Sequence, residues 1–168
     1  PKAVEALKTA AGWVGSITPE GVLNYTEEEA RGVWQTGNAV FMRNWPYAFA
    51  MGQSADSVIK DKFAVIPIPH GPKGKSVSGL GGWQLSVSKF SKNPKRAAEL
   101  IKFINTPENQ KERMMKIART PTLTALLSDP DILAAYPWVN MMQKLDLVAR
   151  PSSYTGTKYS QVSMAALK

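Results

Sequence analysis

Four aromatic residues of this chain could bind the flat face of a ligand: Trp45, Tyr47, Trp83 and Tyr154. Trp45 and Trp83 fall at the ends of predicted elements, whereas a core aromatic residue normally falls on the apolar stripe of a helix or strand. A sugar ring has an apolar face and a polar rim, and flat aromatic side chains suit such a face. On this pattern alone, each tryptophan could stack on a ligand or pack inside the protein.

Polar and backbone groups near these aromatic residues could bond to the rim of such a ring. Asn44 and Arg150 are the available polar side chains. Gly81 and Gly82 precede Trp83, and their lack of side chains would let the backbone approach a ligand closely. The set predicts a binding site without a catalytic residue, a metal or a cofactor.

The composition excludes several kinds of reactive site. The chain has no cysteine and one histidine, His70, so disulfide scaffolds, thiolate metal sites and Cys/His nucleophilic pairs are excluded. A glycoside hydrolase would need two carboxylates about 5 to 9.5 Å apart. The dense acidic groups, 27–29 and the pair Asp129 and Asp131, are better explained as helix starts. A carbohydrate-active enzyme is therefore the weaker alternative.

The charge of the chain suggests a second alternative. Its 168 residues carry a formal net charge of +8, which is compatible with nucleic acid or an anionic membrane as a partner. The basic residues are spread along the chain, and the densest stretch, 89–96, has Phe90 as its one aromatic residue. We expect a solvated basic face and no nucleic-acid partner, but a nucleic-acid-binding domain remains an alternative that salt dependence can test.

Hydrophobic spacing and capping residues predict an α/β chain with a mixed sheet. Predicted helices cover about 2–14, 26–36, a segment opened by Pro46, 93–104, 106–117 and most of the chain after Ser128. Predicted strands cover 39–42, 63–68 and 83–87. Ligands of open α/β sheets bind beyond the carboxyl ends of strands, where Asn44, Trp45 and Tyr47 would lie. The expected core aromatic residues are Trp13, Trp34, Phe41 and Trp138.

The order of several short segments is recognisable. They are Gly37–Tyr47, Val65–Pro69 with Gly71–Pro72, Leu80–Trp83, Ser86–Lys89, Ala97–Phe103, Thr106–Glu108, Thr120–Thr122 and Ala134–Pro137. Together they resemble the extracellular solute-binding proteins of sugar ABC transporters, and the trehalose/maltose-binding type is the closest likeness. The resemblance covers nearly the whole chain.

This resemblance implies a helix-rich α/β fold of the periplasmic-binding-protein-like type II class, of which the chain supplies a carboxy-terminal portion contributing to both lobes. Residues 1–65 would be a carboxy-terminal-lobe segment, 66–125 would cross the hinge and complete the amino-terminal lobe, and 126–168 would be a helical carboxy-terminal-lobe segment. The chain begins without methionine, and no signal sequence opens it. We therefore expect an amino-terminal half that is missing from this sequence.

The resemblance also implies a function. A receptor of this kind binds a small oligosaccharide, similar to maltose or trehalose, between its lobes and delivers it to the membrane permease subunits of an ABC importer. Trp45, Tyr47, Gly82, Trp83 and Arg150 fall at ligand-contact positions. Asn44 and Gly81 lie beside these positions, and Tyr154 falls in a more variable segment. The expected location is periplasmic or extracellular, either free or lipid-anchored through the missing amino terminus, and the fragment alone would hold an incomplete site.

Overall fold

The computed structural model describes residues 2–149 and 156–166 of the chain. The chain divides into two compact units, Pro1–Phe63 and Ala64–Lys168. The first unit contains the helices α1 (Lys2–Trp13), α2 (Glu27–Gln35) and α3 (Tyr47–Gly52). The described part of the second contains the helices α4 (Pro94–Ile104), α5 (Pro107–Ile117), α6 (Pro130–Ala135), α7 (Val139–Met142) and α8 (Tyr159–Ala166), with the strands β1 (Val77–Leu80) and β2 (Asp146–Ala149).

The core of the first unit is an aromatic cluster between α2 and α3. The predicted capping box begins α2, since the Glu29 carboxylate accepts the backbone N–H of Thr26 at 2.9 Å. Near the other end of α2, Trp34 is 8% exposed and packs edge-on against Phe63, with ring centroids 4.7 Å apart. Phe49 of α3 joins Phe63 at 5.4 Å. The prediction that Trp34 is buried is confirmed.

The helix predicted at the start of the chain forms, but its apolar stripe is not covered. Gly15 follows α1 with a φ of 72°, a left-handed conformation that suits glycine and ends the helix. None of the residues of α1 is buried, and Trp13 is 47% exposed. The expectation that Trp13 lies in the core is wrong, because an amphipathic stripe is buried only where another element packs on it, and none does so within residues 2–63.

The three predicted strands are wrong. Residues 39–42, 63–68 and 83–87 are extended or irregular but pair with no strand within the described residues. Phe41, expected in the core, is 83% exposed. An apolar run becomes a strand only when a neighbouring chain completes its hydrogen-bond ladder, and Pro67 further removes a donor from the second segment.

A sheet forms at positions that local pattern does not indicate. β1 and β2 pair in parallel, with Val77 opposite Asp146 and Leu80 opposite Ala149. The region of β2 was expected to be helical, and this expectation is wrong. The polar start of β2 and its length of four residues give little local signal, whereas pairing with a strand about 70 residues away decides its conformation.

The core of the second unit lies among α5, α6 and α7, where the side chains of Met114, Ile132 and Val139 are fully buried. The buried amide of Gln110 fastens the following loop to α5. Its Nε2 donates to the carbonyl of residue 105 at 2.9 Å, and its Oε1 accepts the backbone N–H of Thr122 at 2.7 Å. A buried amide with both ends bonded stabilises one arrangement of this loop.

Local capping signals predict the helix boundaries in this unit well. Thr106 caps α5 by accepting the Asn109 N–H at 3.4 Å. Asp129 caps α6, one residue after the expected start at Ser128. Pro137 falls between α6 and α7, as predicted. Along the described ranges, none of the helices has the length and apolar character needed to cross a membrane.

Candidate functional site

An open depression of about 290 Å³ in the first unit contains two of the predicted site residues. It is lined by Val22, Tyr25, Thr26, Glu27, Ala30, Arg43, Asn44 and Trp45. The first helical residues of α2 form one part of the lining, and the segment that leads into α3 forms another. The lining residues include two aromatic residues, an arginine and a glutamate, a mixture of residue types that suits a ligand with an apolar face and a polar rim.

Trp45 is placed by the proline that follows it. Pro46 has φ of −54° and ψ of −30°, a helical conformation, and opens α3 directly after the tryptophan. The extended backbone before it and the helix after it leave the Trp45 ring at an element boundary, 45% exposed. Part of the ring is therefore available for stacking.

Asn44 binds the protein itself. Its Nδ2 donates to the carbonyl oxygen of Glu27 at 2.9 Å, and its Oδ1 accepts the backbone N–H of Trp45 at 2.7 Å. The side chain therefore fastens the segment before α3 to the start of α2. Contact between Asn44 and a ligand stays a prediction. The two internal bonds already use part of the hydrogen-bonding capacity of its amide group.

Tyr47 is the first residue of α3, and its hydroxyl donates to the carboxylate of Glu28 on α2. Arg31 donates to the same carboxylate through Nη2 at 2.7 Å and through Nε at 3.1 Å. These bonds from Tyr47 and Arg31 lower the pKa of Glu28. Burial, followed by the bond to Glu28, raises the pKa of Tyr47. At neutral pH, Glu28 is therefore an ionised acceptor and Tyr47 a protonated donor.

The ion pair between Glu28 and Arg31 was not predicted from the sequence. Sequence reasoning explained Glu28 only as part of an acidic helix start and did not consider Arg31. The spacing of the two residues, three positions apart on a helix, is the available signal for their ion pair. The contact between Tyr47 and Glu28, 19 residues apart, gives no such signal.

Trp83 lies in the second unit, in the extended segment that follows β1, and is 94% exposed. Apart from its two chain neighbours, no described residue has an atom within 4 Å of the position that a Cβ at Gly82 would occupy. Both the indole and the neighbouring backbone are therefore accessible from outside, as are the flanking residues Gly81 and Gln84. The prediction that Trp83 is a ligand-stacking residue is compatible with this exposure and stays a prediction.

Two predicted site residues, Arg150 and Tyr154, lie outside the described residues. A wider depression of about 460 Å³ occurs elsewhere in the second unit, around residues 66–70 and Ser76. Its wall is mostly apolar, so it offers few of the in-plane hydrogen bonds that a polar ring would need.

Comparisons with known proteins agree on one class. A family profile described as "Bacterial extracellular solute-binding protein" matches residues 1–139. A "Probable ABC transporter-binding protein" of Deinococcus radiodurans is 47% identical over 167 residues, which cover 98% of this chain and 40% of that protein. A "Probable amino-acid ABC transporter periplasmic-binding protein" of Sinorhizobium fredii is 25% identical over 135 residues, covering 80% of this chain and 30% of that protein.

A solved structure gives the fold. Maltose-bound MalE3 of T. maritima superimposes with a TM-score of 0.85 and 39% sequence identity, covering 92% of this chain and 42% of that chain. The predicted class, a helix-rich α/β chain of the periplasmic-binding-protein-like type, is confirmed. The chain spans less than half the length of each of these proteins.

Proposed function

The chain belongs to the bacterial extracellular solute-binding protein family, and from this membership we propose that it is part of a receptor that binds a small oligosaccharide for an ABC importer. In this proposal, the receptor holds a maltose- or trehalose-like ligand and delivers it to the permease subunits of the transporter. The relatives from Deinococcus radiodurans and Sinorhizobium fredii are named as binding proteins of ABC transporters, and neither name describes an enzyme. The chain would act within a longer polypeptide of the length that its relatives have.

The observation that carries the proposal is the accessibility of two tryptophans, Trp45 just before α3 and Trp83 in the extended segment after β1. Trp45 borders a depression with polar groups at its rim, and Trp83 is exposed next to side-chain-free backbone. Burying a large aromatic ring normally stabilises a protein, so a ring left accessible beside polar groups is well suited to a ligand with an apolar face. The neighbour with 39% identity is titled as maltose-bound, which supports the same ligand class.

An amino-acid ligand is the second candidate, because the name of the Sinorhizobium fredii relative contains that class. Arg43 and Glu27 at the depression could pair with the carboxylate and ammonium groups of an amino acid. The aromatic surfaces favour a sugar instead, since a small amino acid has no flat apolar face to cover an indole. The relative is also more distant, at 25% identity.

Calorimetry on the full-length polypeptide that carries this chain tests the proposal. The titrants are maltose, trehalose and sucrose, with L-glutamate and L-arginine as the amino-acid arm. We expect one disaccharide to bind with an affinity of about micromolar and the amino acids to give no heat of binding. Trp45→Ala should weaken that binding. Tight binding of an amino acid would contradict the proposal. Failure of all three sugars to bind would contradict it as well.

Salt dependence separates this function from nucleic-acid binding, the alternative suggested by the +8 charge. Stacking and neutral hydrogen bonds change little between about 50 and about 500 mM salt, whereas phosphate contacts lose several orders of magnitude in affinity over such a range. The sugar isotherm should therefore be nearly constant. A labelled oligonucleotide that binds at low salt and is released steeply with added salt would favour the alternative.

A further inference from the structure

We propose that Tyr25 is a second aromatic ligand-contact residue of the depression that contains Trp45, and that Gly21 is the positioning residue that lets the Tyr25 ring lie there. This inference deepens the proposed function and rests on it. Tyr25 was not among the site residues predicted from the sequence. Its assignment comes from the place that the folded chain gives to its ring, and it makes the depression a subsite for one sugar ring.

Two aromatic side chains from different segments line the same depression. Tyr25 directly follows a short 3-10 helix (Glu20–Asn24) and lies two residues before α2, whereas Trp45 directly precedes Pro46 and α3. The two rings make no aromatic contact with each other, so neither covers the other. A ligand in the depression therefore meets aromatic surface from both segments.

The volume of the depression limits what it can hold. It measures about 290 Å³. Pockets for small ligands typically have roughly 300 to 1,000 Å³, so this one is at the small end of the range. One sugar ring suits such a volume better than a whole disaccharide, and a second ring would lie outside the depression.

The Tyr25 ring occupies its place because residue 21 has no side chain. A Cβ at Gly21 would lie 2.9 Å from Oη of Tyr25 and 3.1 Å from both Cε1 and Cζ. These distances are shorter than the separation at which such atoms attract each other, so the ring would have to move. The three close atoms are at the far end of a side chain that can rotate, so the backbone would not need to shift. Gly21→Ala should therefore displace the ring at little cost in stability.

The hydroxyl of Tyr25 is available to a ligand. The residue is half-buried, and its hydroxyl forms no hydrogen bond with any residue in the described ranges. A phenol hydroxyl can donate one proton and can also accept one, so it can bond to a sugar hydroxyl in either direction. A bound sugar would give this partly desolvated group the partner that the described residues do not supply.

The test is a set of variants of the full-length receptor, each titrated with the disaccharide that binds most tightly among maltose, trehalose and sucrose. Tyr25→Ala should lower the affinity by about 5- to 150-fold, the combined range for an aromatic contact and one neutral hydrogen bond. Tyr25→Phe keeps the ring and should lower it by about 2- to 12-fold, the range for the hydrogen bond alone. Unchanged affinity in Tyr25→Ala would overturn the contact, and unchanged affinity in Tyr25→Phe would overturn the role of the hydroxyl.

Gly21→Ala tests the position of the ring without removing any group from it. The affinity should fall while the thermal unfolding temperature changes little, which a purely structural role of Gly21 would not produce. The matched control is Gly12→Ala in α1, where an added Cβ would meet nothing within 4 Å beyond the neighbouring backbone of its own helix. This control should leave the affinity unchanged. Equal affinities in the two variants would overturn the role of Gly21.

A double-mutant cycle completes the test. If Gly21 acts through the Tyr25 ring, Gly21→Ala should have no further effect on affinity once Tyr25→Ala has removed that ring. Full additivity of the two substitutions would overturn the inference while leaving the receptor function intact. Absence of sugar binding in the unmodified receptor would instead overturn the proposed function itself.

Discussion

Three tryptophans of this chain have very different surroundings: Trp34 is 8% exposed, Trp45 is 45% exposed and Trp83 is 94% exposed. Trp34 packs against Phe63 in the core of the first unit. Trp45 is half-exposed and is one of the residues that line a depression in the first unit. The exposure of each ring decides whether its loss is expected to change folding or ligand binding.

Trp83→Ala in the full-length receptor should weaken sugar binding by about 1 to 3 kcal/mol, because it removes a large apolar platform and its specific contacts. The unfolding temperature should hardly change, since a ring this exposed contributes little packing. Calorimetry and thermal unfolding measure the two effects separately.

The matched control for this prediction is Phe90→Ala. Phe90 is also an exposed aromatic residue, 81% accessible and a short distance along the same segment, but it is not a predicted site residue. Its removal should leave the affinity unchanged. Equal affinity losses in both variants, or unchanged affinity in Trp83→Ala, would contradict a stacking role for Trp83.

At the scale of elements, the packing of α2 against α3 depends on a glycine at the end of α3. A Cβ at Gly52 would lie 2.7 Å from the Trp34 ring and 2.8 Å from the Phe63 ring. Both rings belong to the same cluster, so neither can move without disturbing the other. The side-chain-free position is therefore part of the core packing.

Gly52→Ala should destabilise the first unit by about 1 to 3 kcal/mol, the usual cost of overpacking. Gly32→Ala is the control, because that glycine lies within α2 and a Cβ there would meet no side chain or neighbouring element within 4 Å. There alanine should stabilise the helix by about 0.5 to 1 kcal/mol through its better helix propensity. Denaturant unfolding of the two variants compares them, and a neutral Gly52→Ala would show that the rings can move apart.

The start of α6 should be sensitive to acid. Asp129 accepts the backbone N–H groups of Asp131 at 3.0 Å and Ile132 at 3.2 Å, and it pairs with Lys111 at 2.9 Å. The bond from Lys111 lowers the pKa of Asp129 below its ordinary value, and the N–H bonds act in the same direction. The stabilisation is therefore present above the unfolded-state pKa of about 3.9 and is lost as the pH falls through the lower folded-state pKa.

Asp129→Asn removes this dependence while keeping a good capping side chain. Hydrogen exchange at the Leu133 amide, which donates to the Asp129 carbonyl at 2.9 Å, reports opening of this helix start. At neutral pH, protection should be higher in the unmodified protein than in Asp129→Asn, and the difference should disappear as the pH falls through the lowered pKa of Asp129. A difference that persisted in acid would show that the charge of Asp129 is not its cause.

At the scale of the whole molecule, the chain covers 40 to 42% of the lengths of its Deinococcus radiodurans relative and of maltose-bound MalE3. The division of residues 1–65, 66–125 and 126–168 between two lobes stays a prediction. A receptor that closes on its ligand gains affinity from contacts made only in the closed state. Part of such a receptor cannot supply all of those contacts.

The 168-residue chain alone should therefore bind maltose, trehalose and sucrose far more weakly than the full receptor. Loss of two or three hydrogen bonds to charged groups, each contributing about 1.5 to 3 kcal/mol, would turn micromolar binding into millimolar or weaker. Titration calorimetry of the isolated chain, alongside the full-length protein at equal concentration, measures this. Micromolar affinity of the isolated chain would mean that these residues form a complete site without any other part of the receptor.

Much of the helical structure follows from the sequence, because helix boundaries depend on residues a few positions apart. The Thr26 and Glu29 capping box, the Thr106 cap and the break at Pro137 were all predicted from local spacing and confirmed. The order of short motifs also identified the family and its fold class. The same local reasoning predicted that Pro46 opens a helix, and α3 begins directly after it, although the strand expected before Trp45 does not form.

The strands and the burial of several apolar residues were decided only by the tertiary structure. Residues 39–42 have a strand-like composition but no strand partner among the described residues. Phe41 and Trp13 are exposed, since none of the described elements of the first unit covers them. The bond between Tyr47 and Glu28 likewise joins residues 19 positions apart. Helix caps satisfy backbone groups within one turn and can be read from sequence, whereas strand pairing, burial and the direction of a side-chain hydrogen bond require a partner that only the folded chain brings into contact.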